Sequence, residues 1–450
     1  MKLRAALLLF LALLPGRVVA APAQPEAVVL VLGDQHSAYE KTARLVGFVD
    51  QLQAAHPGLP LAILLDGDTQ EYGNVIARRS AGAIDFAMYA ALAQRAPTVV
   101  NLGNHEAEFL MLDETVARIE QTGAKVVSNL LNRATGRPFA PAAVRVRLGR
   151  EEAVVVGVGT DVLAVYRVAV RPTLELPPPA AWAQAHFPAL LAHEPLPVVL
   201  SHAGIAADRA MLAFAPDGTL FAGAHDHQRF VEPFGRTVYF HSGSWNSHVS
   251  LAWLTRDAAG RPRWTIEQVE LKPDGPADPE LAATIARVMA DHLTAEDRVV
   301  VARTPRAFAP PEAGRWVAEA LRRAAGVDAA FIGNTTFGAG LPAGDVTRLQ
   351  FDACVRFDGT IQVAEVDGTR LAQLLAAANL TPETPFAERH GEFSFAAGPP
   401  AIDPARTYRI ATTDWGAKNT DRYFGVPALR WHEQPGPKLK AAVLAALAGQ

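Results

Sequence analysis

Apolar and polar positions along this chain fall into blocks whose period switches between that of a strand and that of a helix. Ala27 to Leu32 is an unbroken apolar run, the pattern of a buried strand, and Leu45, Phe48, Val49 and Leu52 give the stretch Ser37 to Ala55 helical spacing. A strand at Leu61 to Leu65, a helix over Asp85 to Gln94 and a strand at Thr98 to Leu102 follow. Strands alternating with helices predict a layered α/β domain. The chain then becomes richer in strands, predicted at Ala143 to Leu148, Ala153 to Val158, Val198 to Leu200, Thr237 to His241, Val249 to Leu254 and Trp264 to Leu271. Between them, the Pro-rich stretch Pro172 to Pro188 reads as an excursion over the surface.

The pattern breaks at Lys272-Pro273-Asp274-Gly275-Pro276. Asp278-Pro279-Glu280 then opens a helical run to about Leu293, with Asp278 as N-cap and Pro at the first helical position. Beyond it, helices at Glu312 to Ala325 and Gly368 to Ala378 and strands at Ala329 to Ile332, Gln362 to Val366 and Tyr408 to Thr412 make a second α/β unit. The expected division is residues 21–272, a helical linker over 273–297, and a second domain over 298–450.

Length agrees, since 450 residues exceed one ordinary core. Lys2 and Arg4 precede the apolar run Ala5 to Leu14, then Pro15-Gly16 and Val18-Val19-Ala20, which is the pattern of a secretory signal peptide over residues 1–20. The run is short of the roughly 20 apolar residues a membrane span needs. Removing that segment takes Lys2, Arg4 and Arg17 and no acid, so the formal charge moves from −4 to −7. A mildly acidic exported protein, periplasmic or secreted, has no electrostatic bias toward nucleic acid, and no membrane anchor is expected after cleavage. The single cysteine, Cys354, excludes an internal disulfide and reads as a small buried hydrophobe.

Five polar clusters each follow an apolar run: Gly33-Asp34-Gln35-His36, Asp66-Gly67-Asp68, Gly103-Asn104-His105-Glu106, Ser201-His202 and Ala224-His225-Asp226-His227. Strand ends are where α/β sheets build sites, and oxygen with imidazole nitrogen suits a pair of divalent metals. Such a pair needs a bridging carboxylate and terminal His and Asp ligands. The clusters supply Asp34 and His36 for one ion, Asp68 as bridge, Asn104 and His202 for the second, and His225 and His227 divided between them. Each cluster alone has a plainer reading: Asp34 or Asn104 as a helix cap, Asp66-Gly67 as a turn, a histidine as a hydrogen-bonded core residue. Five such coincidences, each at a strand end, point to one shared site.

The run GDQH, DGD, GNHE, SH, HDH resembles the calcineurin-like metallophosphoesterase superfamily, and its secreted 5'-nucleotidase branch. Ser128-Asn129-Leu130 followed by Thr135-Gly136 resembles that family's segment between the third and fourth motifs. The resemblance covers nearly all of the chain after residue 20. It implies a four-layer α/β/β/α catalytic domain plus a smaller α/β substrate-binding domain, two divalent ions (zinc, manganese, cobalt or iron) and a small-molecule nucleotide substrate. It implies that His105 is a catalytic residue beside the metals, oriented by Glu108, for which a solvated helix acid is the plainer reading. The implied reaction is in-line attack on phosphorus by a metal-activated hydroxide, with His105 assisting departure of the alcohol.

The second domain carries the family's substrate signature in altered form. The helix from Gly314-Arg315-Trp316 and the strand toward Asn334 resemble those leading to the family's nucleotide loop. Asn334-Thr335-Thr336-Phe337-Gly338-Ala339-Gly340 lacks the arginine that the family places there. Phe357 and Trp415 match the aromatic base clamp and Asp421 its downstream acid, while Arg356 is the candidate replacement for the missing cation. On the same scaffold the alternatives are a 2',3'-cyclic nucleotide phosphodiesterase, a sugar-nucleotide pyrophosphatase or a sulfur-ester hydrolase. A non-catalytic nucleotide-binding protein is the alternative from another class.

Overall fold

The computed structural model describes residues 24–427 and 429–448, so the expected signal segment lies outside the described residues. Two six-stranded sheets pack face to face in the first domain. One runs Pro262–Glu270, His248–Arg256, Ala27–Leu32, Leu61–Asp66, Thr98–Asn101, Lys125–Val127 across its width, and the other Arg229–Phe234, Thr237–Ser242, Leu220–Gly223, Leu196–His202, Glu151–Gly159, Ala143–Leu148. The middle strands of both are parallel; antiparallel partners close both edges of the second sheet and one edge of the first, whose other edge strand, Lys125–Val127, is parallel.

The two faces of Ala27–Leu32 show why its whole run is apolar. Ala27, Val29 and Val31 meet Val155, Val198, Leu200 and Phe240 of the other sheet. Val28, Leu30 and Leu32 meet a helical layer through Leu45, Val46 and Val49 of the Tyr39–Ala55 helix. Each such side chain contributes about 1.5–3 kcal/mol when fully buried. Behind the second sheet, Val154, Val156 and Phe221 pack on the Pro179–Leu191 helix, giving four layers in the order α/β/β/α.

That last helix corrects the surface excursion expected over Pro172 to Pro188. Pro179 starts it at a position where the missing N–H costs nothing, and Ala183, Phe187 and Leu191 form its buried stripe. Pro188 sits inside the helix, and it was the proline content that hid the helical spacing.

The linker helix, Pro279–His292, is capped as expected by Asp278, whose side chain accepts from the Leu281 amide at 2.6 Å. Leu281, Ile285 and Val288 pack it on the first domain. In the second domain the sheet order is Ser394–Ala397, Ala329–Gly333, Thr407–Thr413, Ile361–Asp367, His432–Glu433. The helices Pro310–Ala325 and Leu439–Ala448 cover one face and Gly368–Ala376 the other. Cys354 is fully buried there, and burial pushes its thiol up to about 12.

Candidate metal centre

The five clusters meet at the carboxyl ends of the strands, on the edge where the two sheets face the second domain. Ten non-glycine residues have φ between +47° and +80° among the described residues, and eight of them, Asp34, His36, Ser37, Asp68, His225, His227, Trp245 and Asn246, belong to these loops or the turn beside them. Such backbone costs about 1–3 kcal/mol per residue and persists where surrounding structure imposes it, typically at functional sites. Asp34 and Asn104 are not helix caps: the following helices begin at Tyr39 and Leu112, capped at Ala38 and Met111. Glycines permit the crowding. A Cβ on Gly33 would lie 2.7 Å from the Ala224 Cβ, and one on Gly103 would collide with Asp68 Oδ1.

The side chains converge in two groups. Asp34, His36 and His227 offer donor atoms within 4.8 Å of one another, as do Asp68, His202 and His225. His202 Nδ1 donates to the Asp66 carbonyl at 2.7 Å, which turns Nε2 inward, 3.0 Å from Asp68 Oδ2 and 3.8 Å from Asp34 Oδ1. His36 is held likewise: Glu71 Oε2 lies 3.2 Å from its Nδ1, so Nε2 faces inward, 2.8 Å from Nε2 of His227. Two imidazole nitrogens cannot direct lone pairs at each other at that separation without a proton or a cation to share. Asn104 Oδ1 is buried with no hydrogen-bond partner. Inward-facing nitrogens, carboxylates and an orphaned amide oxygen are the donor set a pair of divalent ions requires.

Electrostatics point the same way. Burial pushes the Asp34 carboxyl well above the usual range, with His202 drawing it back. Asp68, equally buried, is nevertheless held well below that range by His202, His105 and His36. Burial opposes the charged form of His105, yet Asp68, Glu71 and Glu108 hold its pKa well above the ordinary imidazole value. Its Nδ1 lies 2.7 Å from Glu108 Oε1 and its Nε2 3.9 Å from Asp68 Oδ2. His105 therefore stands at the edge of the centre with its Nδ1 edge paired to the Glu108 carboxylate.

Residues beyond the expected set support the site, and of these Trp245 and Arg422 carry no signal in the sequence. Glu106 accepts from the amides of Asp68, Thr69 and Gly103 at 3.0, 2.8 and 2.7 Å, tying two of the loops together. Trp245 stacks on His36 with ring centroids 4.6 Å apart. Arg422, from the second domain, donates to His225 Nε2 at 2.7 Å and pairs with Glu392. Asp226 is buried and accepts from the Ile205 amide at 2.6 Å.

A cavity of about 790 Å³ opens over the centre, lined by His36, Asp68, Asn104, His105, His225 and His227 on one side and by Phe357, Glu392 and Trp415 on the other. Phe357 lies 6.4 Å from His105 between ring centroids, and both aromatics keep more than a third of their surface exposed. Two expected substrate residues are not brought to it. Asp421 is exposed on the Thr420–Phe424 helix. Arg356 is 4% exposed and turned away from the cavity, its guanidinium 4.6 Å from the Trp245 ring, because neighbours in an extended segment point to opposite sides and Phe357 takes the cavity side. Asn334 is likewise structural: it donates to the Asp226 carbonyl at 2.9 Å and accepts from the Phe393 amide at 3.0 Å, clasping the two domains.

Known proteins share this anatomy. Residues 27–229 match the family described as calcineurin-like phosphoesterase, and residues 288–396 match the 5'-nucleotidase C-terminal domain. No curated protein matches the sequence. Among solved structures, the chain is similar to a 5'-nucleotidase precursor from Thermus thermophilus, at 18% identity and TM-score 0.64, covering 94% of this chain and 96% of that one. It is similar to the sulfate thiohydrolase SoxB of Thermus thermophilus at 15% identity and TM-score 0.66, covering 95% of each chain. It is also similar to the Candida albicans 5'-nucleotidase at 13% identity and TM-score 0.63, covering 94% of this chain and 98% of that one. At these identities the likeness establishes a shared two-domain fold.

Proposed function

This chain belongs to the calcineurin-like phosphoesterases that carry a 5'-nucleotidase C-terminal domain, and on that premise we propose that it hydrolyses the phosphate ester of nucleotides, as an exported 5'-nucleotidase-type enzyme. The observation that carries the reading is the cavity in which the inward-facing histidines and aspartates stand opposite Phe357 and Trp415. A nucleotide presents a phosphate and a flat base, and this cavity offers one wall for each.

Calcineurin-like phosphoesterases use a dinuclear metal site. In this chain Asp34, His36, Asp68 and His227 would hold one ion and Asp68, Asn104, His202 and His225 the other, with Asp68 shared. Bound there, the ions neutralise phosphate oxygens and lower the pKa of water toward about 7. The protein's own groups do the rest. Glu71 and the Asp66 carbonyl fix the tautomers of His36 and His202. Glu106 fixes the loops that carry Asp68 and Asn104. His105, oriented by Glu108, is the group placed to donate Nε2–H to the oxygen that leaves the phosphorus. Phe357 and Trp415 hold the base, leaving the ester beside His105.

The loop without an arginine supports a second reading, a sulfur-ester hydrolase on the same centre, because the fold's usual phosphate contact is missing from Asn334 to Gly340. Residues 1–20 are read as the export signal, and no helix among the described residues is long and apolar enough to cross a membrane. One assay tests both readings. The purified chain is given nucleoside monophosphates, 2',3'-cyclic nucleotides, sugar nucleotides and a thiosulfonate with manganese, cobalt or zinc, and the products are separated by chromatography, since cyclic and sugar nucleotides can be cleaved without release of free phosphate. Phosphate release from nucleotides that disappears in Asp68→Ala supports the proposal. Hydrolysis confined to the thiosulfonate replaces it, and no hydrolysis with any metal leaves a binding protein.

A further inference from the structure

Arg356 is the unexplained residue of this site. Its Nε and Nη2 are buried without a hydrogen-bond partner, an arrangement that normally costs several kcal/mol and calls for a compensating contact. Trp245 supplies part of it, with the guanidinium 4.6 Å from its ring. The same indole stacks on His36 at 4.6 Å with an interplanar angle of 28°. Arg356 thus reaches His36 through the indole, and Glu71 Oε2 lies 3.2 Å from Nδ1 of the same imidazole.

The surrounding loop is shaped to this stack. The Arg356 amide donates to the Thr336 carbonyl at 2.9 Å and the Gly338 amide to the Cys354 carbonyl at 2.9 Å. A Cβ on Gly338 would lie 2.8 Å from Arg356 Nε and 3.2 Å from Trp245 Cζ3, so only glycine lets the loop close over the two side chains. The segment that lacks the family's arginine is here the floor under Arg356. Next to it in sequence, Phe357 faces the cavity near His105.

We infer that Arg356 is a positioning residue through which the second domain, seated by Phe357 on substrate, steadies Trp245 against His36 and so sets the geometry of the first metal position. The inference rests on the proposed role of His36 as a ligand. Arg356 touches neither substrate nor ion. Its effect is to reduce the freedom of a ring whose nitrogen must point inward.

The test titrates the chelator-treated full chain with Mn2+ by calorimetry, records the visible spectrum of the Co2+ form, and measures KM and kcat on a nucleotide and on p-nitrophenyl phosphate. Arg356→Gln is expected to weaken the tighter ion about five- to tenfold, the scale of one cation–π contact, to shift the Co2+ spectrum, and to lower kcat on both substrates with KM on p-nitrophenyl phosphate unchanged. Arg356→Lys restores the charge without the planar stack and is expected to recover part of the affinity. A raised nucleotide KM with unchanged ion affinity places Arg356 on the substrate and overturns the inference. A lowered Tm with unchanged affinity and spectrum makes it a packing residue and does the same. His36→Ala is run alongside. If it weakens the ion and Arg356→Gln does not, the positioning role alone fails, and if His36→Ala changes nothing, the ligand assignment fails with it.

Discussion

Glu108 Oε1 stands 2.7 Å from Nδ1 of His105, and this contact fixes which edge of the imidazole meets the reacting ester. With Nδ1–H committed, Nε2 points toward Asp68 and the cavity. His105→Ala is expected to lower kcat about 10²–10⁴-fold, the range of a lost general acid, while KM and metal content stay near wild type. The loss shrinks with p-nitrophenyl phosphate, whose leaving group needs no proton. Glu108→Gln keeps a partner for Nδ1 but removes the charge that holds the ring protonated, so the loss is smaller and falls mainly on alkaline activity. An equal loss on both substrates in a series of leaving groups would remove His105 from the proton-transfer role.

Asp68, the proposed shared ligand, lies 3.0 Å from His202 Nε2, while Asp34 Oδ1 lies within 3.9 Å of His36, His202 and His227. Asp68→Ala is therefore expected to lower bound metal from two equivalents to one or none, and activity to background. His202→Ala, confined to one group, retains one equivalent. Elemental analysis of the purified variants decides this. Two equivalents in Asp68→Ala would show that the bridge lies elsewhere.

The donor residues were legible in sequence because each follows an apolar run, and strand ends converge in an α/β sheet whatever the intervening chain does. Trp245 and Glu71 carry no such signal. Trp245 sits in a turn after Thr237–Ser242, and its partner His36 lies more than 200 residues away, a proximity made by the packing of the two sheets. The Leu439–Ala448 helix was missed because its small apolar residues leave little helical periodicity, and the four-residue strand Ser394–Ala397 because it is too short to show a period. A family resemblance assigns Arg356 and Asp421 to the clamp without fixing where their side chains point; Arg356 is buried against Trp245 and Asp421 is exposed on its helix.

Phe357 and Trp415 keep large exposed ring faces in the cavity, where core residues of their size would be covered. Replacing either by Ala is expected to raise KM for a nucleoside monophosphate by about 5- to 100-fold, the scale of one base stack at about 1–3 kcal/mol. KM for p-nitrophenyl phosphate, which has no base, changes little. Steady-state kinetics on both substrates separates loss of the clamp from a general fault.

Gly103 lies where a Cβ would collide with Asp68 Oδ1 and come within 2.9 Å of His202 Cδ2. Gly103→Ala forces the bridging carboxylate or the histidine to move. We expect about 1–3 kcal/mol of destabilisation, the usual range for overpacking, with metal content falling before the fold is lost. Thermal melts with and without added Mn2+ check it, since the metal-dependent rise in Tm should shrink in the variant.

Behind the centre, Asp208 gathers a buried polar group: it accepts from the Ser201 hydroxyl and, at 2.8 Å, from the Tyr239 hydroxyl, and it lies 3.2 Å from His241 Nε2. Burial pushes its carboxyl up to about 8 and the His241 imidazole down to about 3, so at neutral pH both are uncharged and the acid proton is available to His241. An acid whose pKa is raised on folding binds its proton more tightly in the folded state. Its stabilising contribution is complete below the unfolded value of about 4 and is lost as pH rises through about 8, at about 1.4 kcal/mol for each pH unit between the two values. Asn at this position reproduces a neutral carboxyl, with its oxygen at the Oδ1 position to accept from Ser201 and its NH2 at the Oδ2 position to donate to His241 and to the Tyr239 oxygen. Asp208→Asn is therefore expected to fold with near wild-type stability at pH 7 and to lose most of the decline in Tm that the wild type shows between pH 5 and 9. Melting curves across that interval test it. A variant whose decline matches the wild type would show that Asp208 is ionised within the folded core and that the network is held by charge.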